Sequence, residues 1–313
     1  MWRGKHHLYC FLLFMFMMTS VFAGSQYNNL AEIAVLYPTV SKEHNDMFVE
    51  YIEGIRSVPG YNFKPLRITD DLDLGELRQW SKKNNIKGYI ALGQTTYKLV
   101  VSLKSAAPLI AGGMVSTPPG INGISLSADP QAFFNKLQLL TPKVSRVFYV
   151  YSQFNNGWLI DRARNESEKY GINFVALKVD DVMQATMQYK IILESMKQGA
   201  DALWIPLDNV VPMKILLPNI LQTAWNKNFT VFSNNLQHTR RGTLFSLFPD
   251  HYREGRRLVA LLEQRLIDNT KAAVLLPSVD LKLAVNTRTS SHLGMHFSQE
   301  MIMGFDQVYP SHN

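Results

Sequence analysis

Short apolar segments typical of strands alternate with longer, helix-like segments along most of this 313-residue chain. The first series predicts strands at 31–37, 63–68, 88–92 and 108–111, separated by helices at 43–56, 71–83 and 95–104. The second series predicts strands at 146–151, 173–179, 202–205 and 229–232, separated by helices at 158–170, 183–198 and 211–225. Such alternation is typical of right-handed crossovers and parallel sheets.

The alternation pauses near residue 120, where a Thr-Pro-Pro-Gly run at 117–120 interrupts it. The segment 121–126 is predicted to continue as an extended crossing, and Asp129 with Pro130 then opens a helix that ends near residue 140. A pause between two series indicates two sheets rather than one long one. We therefore predict an α/β fold with two lobes, each with a parallel sheet, whose strand tips face a common cleft.

The first 23 residues have the pattern of a secretory signal peptide. A basic start precedes an apolar core at 8–18, and Val21 and Ala23 occupy the small-residue positions before a cleavage site. An uncleaved membrane anchor is the alternative, but the apolar core is shorter than the roughly 20 residues of a membrane-spanning helix. We therefore expect a soluble protein that is exported to the periplasm and cleaved near Ala23.

Cysteine and charge content exclude several kinds of function. Cys10 is the only cysteine and lies within the predicted signal peptide, so the mature chain has no thiol for disulfides, catalysis or metal binding. Removal of Arg3 and Lys5 leaves 30 Lys and Arg residues against 25 Asp and Glu, a formal charge of +5. The excess is spread out, so we predict solvated faces, including the one at Arg240 and Arg241, rather than a nucleic-acid surface.

The sequence contains no nucleophile elbow, phosphate-binding loop, zinc-protease helix motif or dinucleotide-binding glycine pattern. We therefore predict no enzymatic activity and no cofactor. His292, His296 and Glu300 are spaced by four residues and could bind a metal ion on a continuous helix. Because Gly294 interrupts this segment, a surface turn without metal is the favoured interpretation. An acidic group at 70–73 is similarly predicted to cap the next helix rather than to bind calcium.

The stretch GADALWIPLDN at 199–209 points to a binding site. Its apolar run at 202–205 has the length and composition of a strand that is buried on both faces of a parallel sheet. Asp208 and Asn209 follow just beyond the carboxyl end of that strand. Because ligands of open α/β sheets bind outside the carboxyl ends of the strands, these two side chains are candidates for ligand contact.

Three stretches resemble one protein family: GADALWIPLDNVV from 199, RGTLFSLFPDHYREGRRLVALLEQRL from 241 and LPSVDLKLAVNTRTSSHLGM from 276. The chain resembles the bacterial ABC-transporter substrate-binding proteins that include tryptophan- and phenylalanine-binding members. The resemblance is specific over about 199–296 and looser before it. The matching positions are Asp201-Ala202, Pro206, Asp208-Asn209, Tyr252, Gly255-Arg256, Leu281, Asn286 and Leu293-Gly294, together with Glu43-His44 near the N-terminus.

The resemblance implies the type I periplasmic-binding-protein fold, in which two Rossmann-like lobes with parallel sheets are joined by three crossing segments. It implies a first lobe built from 24–126 plus 248–280 and a second lobe built from 127–247 plus 281–313, with 1–23 as the signal peptide. The chain departs from the family pattern at Gln94-Thr95-Thr96 and from Met114 to Pro118. The first lobe's side of the ligand pocket is therefore predicted to differ from that of the family.

We expect the ligand to contact side chains at the strand tips of both lobes. Asp208 is predicted to accept the ammonium group of a zwitterionic ligand, and Thr95 and Thr96, at a helix start, to bind its carboxylate. The aromatic members and Met114 are predicted to cover an apolar ligand side chain. The alternative for each polar member is that it caps the helix that it precedes. The predicted ligand-binding residues are Tyr37, Thr39, Ser41, Gln94, Thr95, Thr96, Met114, Phe154, Asn155, Asp208, Asn209 and Asn234, with Ser116, Gln153, Asn156, Ser233 and Asn235 beside them.

The resemblance implies a periplasmic solute-binding protein that closes on a small ligand, an amino acid or a related metabolite, and delivers it to an ABC importer. The alternative is a periplasmic sensor subunit that reports ligand occupancy to a membrane signalling receptor. In both cases we expect a monomer whose partners are the small ligand and a permease or receptor, without nucleic acid, cofactor or metal.

Overall fold

The structure contains two β-sheets flanked by helices, as the two series of predicted strands indicated. It is a computed structural model that describes residues 30–40, 42–69, 72–115, 120–268 and 272–310. The predicted signal peptide, the predicted strand-tip residues Ser41 and Ser116, and residues 70 and 71 of the acidic group lie outside the described residues.

The helices and strands alternate along the chain. Through the first crossing they are β1 (Ala31–Pro38), α1 (Lys42–Arg56), β2 (Tyr61–Ile68), α2 (Leu74–Lys83), β3 (Gly88–Leu92), α3 (Gln94–Ser102), β4 (Leu109–Met114), β5 (Gly123–Ala128) and α4 (Pro130–Leu140). They continue with β6 (Arg146–Ser152), α5 (Gln153–Asn156), α6 (Ile160–Lys169), β7 (Asn173–Val179), α7 (Val182–Ser195), β8 (Asp201–Ile205), α8 (Met213–Lys227), β9 (Thr230–Ser233) and α9 (Leu236–Arg241). The last elements are β10 (Phe245–Pro249), α10 (His251–Ile267), β11 (Leu275–Ser278), β12 (Leu281–Asn286), α11 (Thr287–His292), α12 (Gln299–Met303) and β13 (Gln307–Tyr309).

The strands form two sheets that are almost entirely parallel. Sheet A has the order β11-β5-β4-β3-β1-β2, and all of its described pairs are parallel. Sheet B has the order β13-β12-β10-β9-β8-β6-β7, and its described pairs are parallel except for β10 with β12. The predicted α/β fold with parallel sheets is confirmed, and the β10–β12 pair is the antiparallel exception among the described pairs. The chain leaves sheet B at the carboxyl end of β10 and enters it again at the amino end of β12. Because these two ends lie side by side, the two strands run in opposite directions.

The chain passes between the two sheets three times, in agreement with the predicted three crossing segments. The crossings lie between β5 and α4, between β10 and α10, and between β11 and β12. Main-chain hydrogen bonds join them: the Asp129 N–H donates to the Ser278 carbonyl (2.8 Å), and the Asp250 N–H donates to the Asp280 carbonyl (2.8 Å). We call sheet A with its helices the first lobe and sheet B with its helices the second lobe. The residue boundaries of the lobes stay a prediction.

The strand β8, predicted within GADALWIPLDN, is buried along its whole length. Trp204 is 2% exposed and packs against Phe133, Tyr149 and Phe232, with ring centroids 4.5, 4.7 and 5.7 Å away. Leu203 belongs to a different core cluster, because its side chain points to the opposite face of the sheet. Burial of each such side chain contributes about 1.5–3 kcal/mol. The prediction of a strand with two buried faces is confirmed.

Two glycines let α1 and α10 pack closely over one face of sheet A. A Cβ atom on Gly54 would lie 2.0 Å from the carbonyl oxygen of Tyr252, and one on Gly255 would lie 2.3 Å from the carbonyl oxygen of Tyr51. No side chain can occupy either position without moving a backbone. Gly255, one of the family-like positions, therefore has a packing role.

Local hydrogen bonds explain where two helices differ from the predicted ranges. Asp73 caps α2 by accepting a hydrogen bond from the Glu76 N–H (2.7 Å), so the helix begins at residue 74 rather than 71. The helix predicted at 158–170 is divided into α5, a 3₁₀ turn at Gly157–Leu159 and α6. Ser152 caps α5, and Gly171 ends the segment with a φ of +65°, in the left-handed conformation that was predicted.

Candidate functional site

The carboxyl ends of most strands in both sheets meet at the junction between the lobes. The chain leaves the first lobe at the carboxyl end of β5 and returns to it at the carboxyl end of β10. In sheet A, β5 runs parallel to β4, β3 and β1, and in sheet B, β10 runs parallel to β9, β8 and β6. The carboxyl ends of these strands therefore lie along one edge of each sheet. We call the space along these two edges the cleft.

Asp208 is the centre of a set of hydrogen bonds at the second-lobe edge of the cleft, which we call the Asp208 network. Its Oδ2 accepts from the Ser152 N–H (2.8 Å), the Ser152 hydroxyl (3.0 Å) and the Asn156 amide (3.0 Å). Its Oδ1 accepts from the Asn155 amide (3.1 Å) and the Val210 N–H (3.0 Å). A carboxylate has about four lone-pair sites, so these donors fill its capacity as an acceptor.

This network changes the role predicted for Asp208. The residue lies just past the carboxyl end of β8, as predicted, but protein donors already occupy both oxygens that were expected to meet a ligand's ammonium group. The carboxylate instead fixes the turn after β6 to the turn after β8. Asn155, a second predicted ligand residue, is buried and uses its amide in the same network.

Asn156 extends the network to the first crossing segment. Its amide nitrogen also donates to the Leu207 carbonyl (2.9 Å), and its oxygen accepts from the Ser127 hydroxyl (3.4 Å). Ser127 lies in β5, so the hydrogen bonds reach from sheet B to a strand of sheet A. The second-lobe edge of the cleft is therefore held together by hydrogen bonds within the chain.

The other predicted residues of the second lobe differ in exposure. Phe154 lies in α5, next to the residues that bind Asp208, and is 64% exposed. Asn209 is also exposed, whereas Asn234 is buried and its oxygen accepts a hydrogen bond from the Trp204 indole (2.6 Å). An exposed phenylalanine at a rigid edge is available to cover an apolar part of a ligand.

In the first lobe, Gln94 and Thr95 form the exposed first turn of α3. The residue before them, Gly93, has a φ of +87°, and no side chain of the described residues caps the helix. The main-chain N–H groups of a first turn have no partner within the helix, so they are available to an anionic group. This placement suits the carboxylate-binding role predicted for Thr95, which stays a prediction.

Thr96 and Met114 point into the first lobe rather than into the cleft. Thr96 is fully buried, and its hydroxyl lies 2.5 Å from the Leu92 carbonyl and 2.7 Å from the Gly93 carbonyl. Met114 is buried in a small cluster with Ile121. The Thr96 hydroxyl contacts main-chain carbonyls at the start of its own helix, and the Met114 side chain packs in the core. The ligand contacts predicted for these two side chains are therefore not supported.

Tyr37 and Thr39 lie at the end of β1 and contact the neighbouring β2. The Thr39 hydroxyl donates to the Ile68 carbonyl (3.1 Å), and the Tyr37 ring centroid lies 5.5 Å from the guanidinium carbon of Arg67. Thr39 is exposed and Tyr37 is half-buried. Contact of either residue with a ligand stays a prediction.

A cavity of about 490 Å³ lies in the cleft and is lined by both lobes, a size usual for small-molecule pockets. It brings together the predicted strand-tip residues Asn234 and Asn235 and several residues that were not predicted. The complete lining is Met47 and Glu50 of α1, His251 of α10, Leu126, Phe248, Pro249 and Lys282 of the crossing strands, and Leu207, Asn234, Asn235, Leu236 and Gln307 of the second lobe.

Opposite charges meet in this cavity. The Lys282 Nζ lies 4.0 Å from Glu50 Oε2 and 3.8 Å from Asp250 Oδ2. His251 Nδ1 is buried without a hydrogen-bond partner among the described residues. Burial and then the charge of Lys282 lower the pKa of His251 to about 4, with Asp250 acting against them, so the imidazole is neutral at pH 7. The cavity thus contains an acidic side chain (Glu50), a basic side chain (Lys282) and a neutral imidazole (His251).

Sequence reasoning missed Glu50, His251 and Lys282, because it considered only the residues that follow strand ends. Glu50 lies inside α1, and Lys282 lies inside β12. A signal for two of them was present: His251 precedes the family-like Tyr252, and Lys282 follows the family-like Leu281.

Tyr51 and Glu254 form a buried pair next to His251. The Tyr51 hydroxyl donates to the Glu254 carboxylate, and the Tyr51 ring centroid lies 5.0 Å from that of His251. Burial raises the pKa of Glu254 to about 7, although the Tyr51 hydroxyl and the charge of Arg257 favour the carboxylate. A buried group next to the cavity therefore titrates near neutral pH.

The segment that contains His292, His296 and Glu300 is not one helix. The helix α11 ends at His292, Gly294 has a φ of +76°, and α12 begins at Gln299, which confirms the predicted turn. Within the described ranges, no group of three or more His, Cys, Asp or Glu residues could hold a metal ion. No helix in those ranges is long and apolar enough to cross a bilayer.

Comparison with known proteins finds similarity at the level of the fold. No protein-family model and no curated protein matches this sequence. A conserved domain protein from Vibrio cholerae superposes with a TM-score of 0.54 at 16% identity, covering 89% of this chain and 99% of that one. An ABC domain from Streptococcus pneumoniae in complex with L-Trp superposes with a TM-score of 0.55 at 16% identity, with coverage of 89% and 99%.

A third similar structure is the ligand-free, open form of a substrate-binding protein with adhesive properties from Clostridium difficile. Its TM-score is 0.59 at 14% identity, and the alignment covers 89% of this chain and 99% of that one. Together with the two sheets, their strand order and the three crossings, this likeness shows that the chain has the type I periplasmic-binding-protein fold.

Proposed function

We propose that this chain is an exported solute-binding protein that closes on an amino acid or a related small metabolite and delivers it to an ABC importer. The observation that carries this proposal is the position of Glu50 and Lys282 inside a cavity of about 490 Å³ that both lobes line. An α-amino acid carries its ammonium and carboxylate groups on the same carbon atom, so one small molecule offers both complementary charges.

The Glu50–Lys282 pair is suited to exchange its internal contact for ligand contacts. Its charged atoms are 4.0 Å apart, and both side chains are partly exposed. An ion pair of this kind contributes only about 0.2–1 kcal/mol to stability. Shorter charge-assisted hydrogen bonds to a ligand are stronger, so replacing the internal pair is favourable.

The remaining lining suits the other parts of such a ligand. Met47, Leu126 and Phe248 supply apolar surface, and the His251 Nδ1 supplies a buried polar group without a protein partner in the described structure. The first turn of α3 lies outside this lining, and its main-chain donors, which no described side chain caps, are offered at the first-lobe edge of the cleft. These features support binding of a compact, partly apolar zwitterion.

Closure of the two lobes would bend the chain at the three crossings. The hydrogen bonds from Asp129 to Ser278 and from Asp250 to Asp280 hold these crossings together, so rotation is confined to a few residues. A ligand favours the closed form if it contacts both lobes at once. Glu50 on the first lobe and Asn234 on the second are the contacts that we expect.

Calorimetry on the chain from residue 24 onward, freed of bound ligand by unfolding and refolding, tests this proposal against the common amino acids. At least one should bind and, at a hundredfold excess over Kd, stabilise the protein by about 2.7 kcal/mol. Glu50→Gln and Lys282→Met should each weaken binding at least tenfold. Asp180→Asn and Lys178→Met remove an exposed ion pair elsewhere (3.4 Å) and serve as matched controls.

Absence of binding by any amino acid or related metabolite would contradict the ligand class. If the control variants weaken ligand binding as much as the cavity variants do, the ligand does not bind in this cavity. Delivery is tested separately by photo-crosslinking the ligand-loaded protein to membranes of its source cell. Capture of a permease subunit supports transport, and capture of a receptor with a kinase or cyclase domain supports the sensor alternative instead.

A further inference from the structure

Three arginines surround a partly exposed tryptophan in a groove on the second lobe. The groove has a volume of about 320 Å³, and Arg240, Arg241 and Arg288 line it together with Trp225 and Leu221. We call it the arginine groove. Arg240 and Arg241 are the basic pair that the sequence predicts to be a solvated face.

The arginine groove lies at the end of sheet B opposite to the cleft. Arg241 ends α9 just before β10 begins, and Arg288 follows the end of the antiparallel β12. The crossings of these two strands to the first lobe are at their other ends. Five strand residues at about 3.3 Å each separate the two ends by roughly 16 Å, so a molecule in the groove does not occupy the cavity.

The positive charge of the groove is not compensated within the described part of the chain. All three arginines are exposed, none forms an ion pair with a described residue, and no described lining residue is acidic. Burial and the nearby Arg241 lower the pKa of His238 to about 4. Three guanidinium groups around one concavity repel one another, and a group with several carboxylates would relieve that repulsion.

Trp225 is held in place by contacts within the chain. It is 40% exposed, and its ring stacks on His292 at 3.6 Å with an interplanar angle of 10°. His292 Nε2 also lies 2.8 Å from the Trp225 carbonyl, and the guanidinium carbon of Arg288 lies 5.5 Å from the Trp225 ring centroid. Arginine and fixed tryptophan are the residues most often found at the energetic centres of protein interfaces.

We propose that the arginine groove is a docking site for a carboxylate-rich segment of a partner protein. Aspartate or glutamate side chains of the segment would bind Arg240, Arg241 and Arg288, and an apolar neighbour would pack on Trp225. The concave shape favours an extended segment over a membrane surface, which a flat or projecting set of basic residues fits better. The proposal does not depend on which ligand the cavity binds.

Fluorescence anisotropy of a fluorescein-labelled hexaglutamate peptide tests the proposal with the chain from residue 24 onward. The unaltered protein should bind the peptide, and added salt should weaken the binding. Arg240→Gln combined with Arg241→Gln should raise Kd about tenfold, because two charge-assisted hydrogen-bonding groups are lost. Lys83→Gln combined with Lys87→Gln removes the same charge from exposed positions of the first lobe and should change Kd less than twofold.

Trp225→Phe provides a second measurement that does not depend on net charge. It preserves an aromatic ring against His292, so the fold should be retained, and a peptide-induced change in tryptophan emission should disappear. Equal weakening by the two double variants would overturn the proposal. So would tighter, arginine-dependent binding of oligothymidylate or of phosphatidylglycerol vesicles, which would assign the groove to a nucleic acid or a membrane. A saturating cavity ligand should leave the peptide Kd unchanged, so this test and that of the proposed function can fail independently.

Discussion

The two edges of the cleft are built in different ways. At the second-lobe edge, Asp208 fixes Ser152, Asn155 and Asn156 through a closed set of hydrogen bonds. At the first-lobe edge, Thr95 is exposed in a first turn that no described side chain caps. One edge is therefore a rigid surface, whereas the other has main-chain donors that no described residue occupies and that a ligand can bind.

The largest effect should come from removing the centre of the rigid edge. Asp208→Ala leaves five hydrogen-bond contacts from protein donors without their acceptor. We expect the free energy of unfolding to fall by about 3 kcal/mol, with water replacing part of the lost bonds at this half-buried position. Urea unfolding measures the change. Asp180→Ala, at an exposed position, should stay within about 0.5 kcal/mol. A similarly small effect of Asp208→Ala would mean that the second edge is not rigid.

A pH-dependent effect of similar size is expected beside the cavity. Folding raises the pKa of Glu254 from 4.5 to about 7, so the folded state holds its proton more tightly than the unfolded state. This contribution is complete below pH 4.5 and is lost as the pH rises through 7. Glu254→Gln keeps the group neutral, so between pH 5 and pH 8 the stability of the unaltered protein should fall relative to the variant by up to about 3 kcal/mol.

Unfolding curves at several pH values measure this difference. Glu76→Gln, at an exposed position of α2, is the control, and its difference from the unaltered protein should change little over the same range. Parallel profiles for Glu254→Gln and the unaltered protein would show that Glu254 does not carry the proton. The contributions of His251 and His238 have the opposite pH dependence. Because folding lowers their pKa values from 6.5 to about 4, the free energy of unfolding decreases as the pH falls below 6.5.

The smallest effects should separate two adjacent threonines of the open edge. Thr96→Val removes a buried hydroxyl that bonds to the Leu92 carbonyl and should cost about 1 kcal/mol of stability without changing ligand affinity. Thr95→Val alters an exposed side chain and should leave stability within about 0.5 kcal/mol while weakening ligand binding. Thermal unfolding and calorimetry on both variants test this. The reverse pattern would place Thr96 rather than Thr95 in the binding edge.

Much of the fold could be predicted because local signals agreed with it. Strand β3 has the predicted bounds, β8 is buried on both faces, and Asp73, Asp129 and Gly171 act at helix ends as their residue types indicate. The split of the helix predicted at 158–170 was not predictable in the same way. It depends on Ser152 and the Asp208 network, and those contacts join residues far apart in the sequence.

The candidate site was predicted in position but not in detail. Strand ends locate the cleft, since parallel strands end at one edge, and Asn234 does line the cavity. Residue type alone could not show that Asp208 is saturated by protein donors while Glu50 is open to the cavity. Both are carboxylates, and what distinguishes them is which donors the folded chain places beside each.

The close packing of α1 against α10 has a consequence for the order of folding. Gly54 and Gly255 bring the two helices together, but α10 and β11 follow most of sheet B in the chain. During synthesis from the N-terminus, the apolar side of α1 that packs against α10 therefore stays exposed until most of the second lobe has been synthesised. Because such distant contacts form slowly, the first lobe should be the last to gain protection from proteases and from hydrogen exchange.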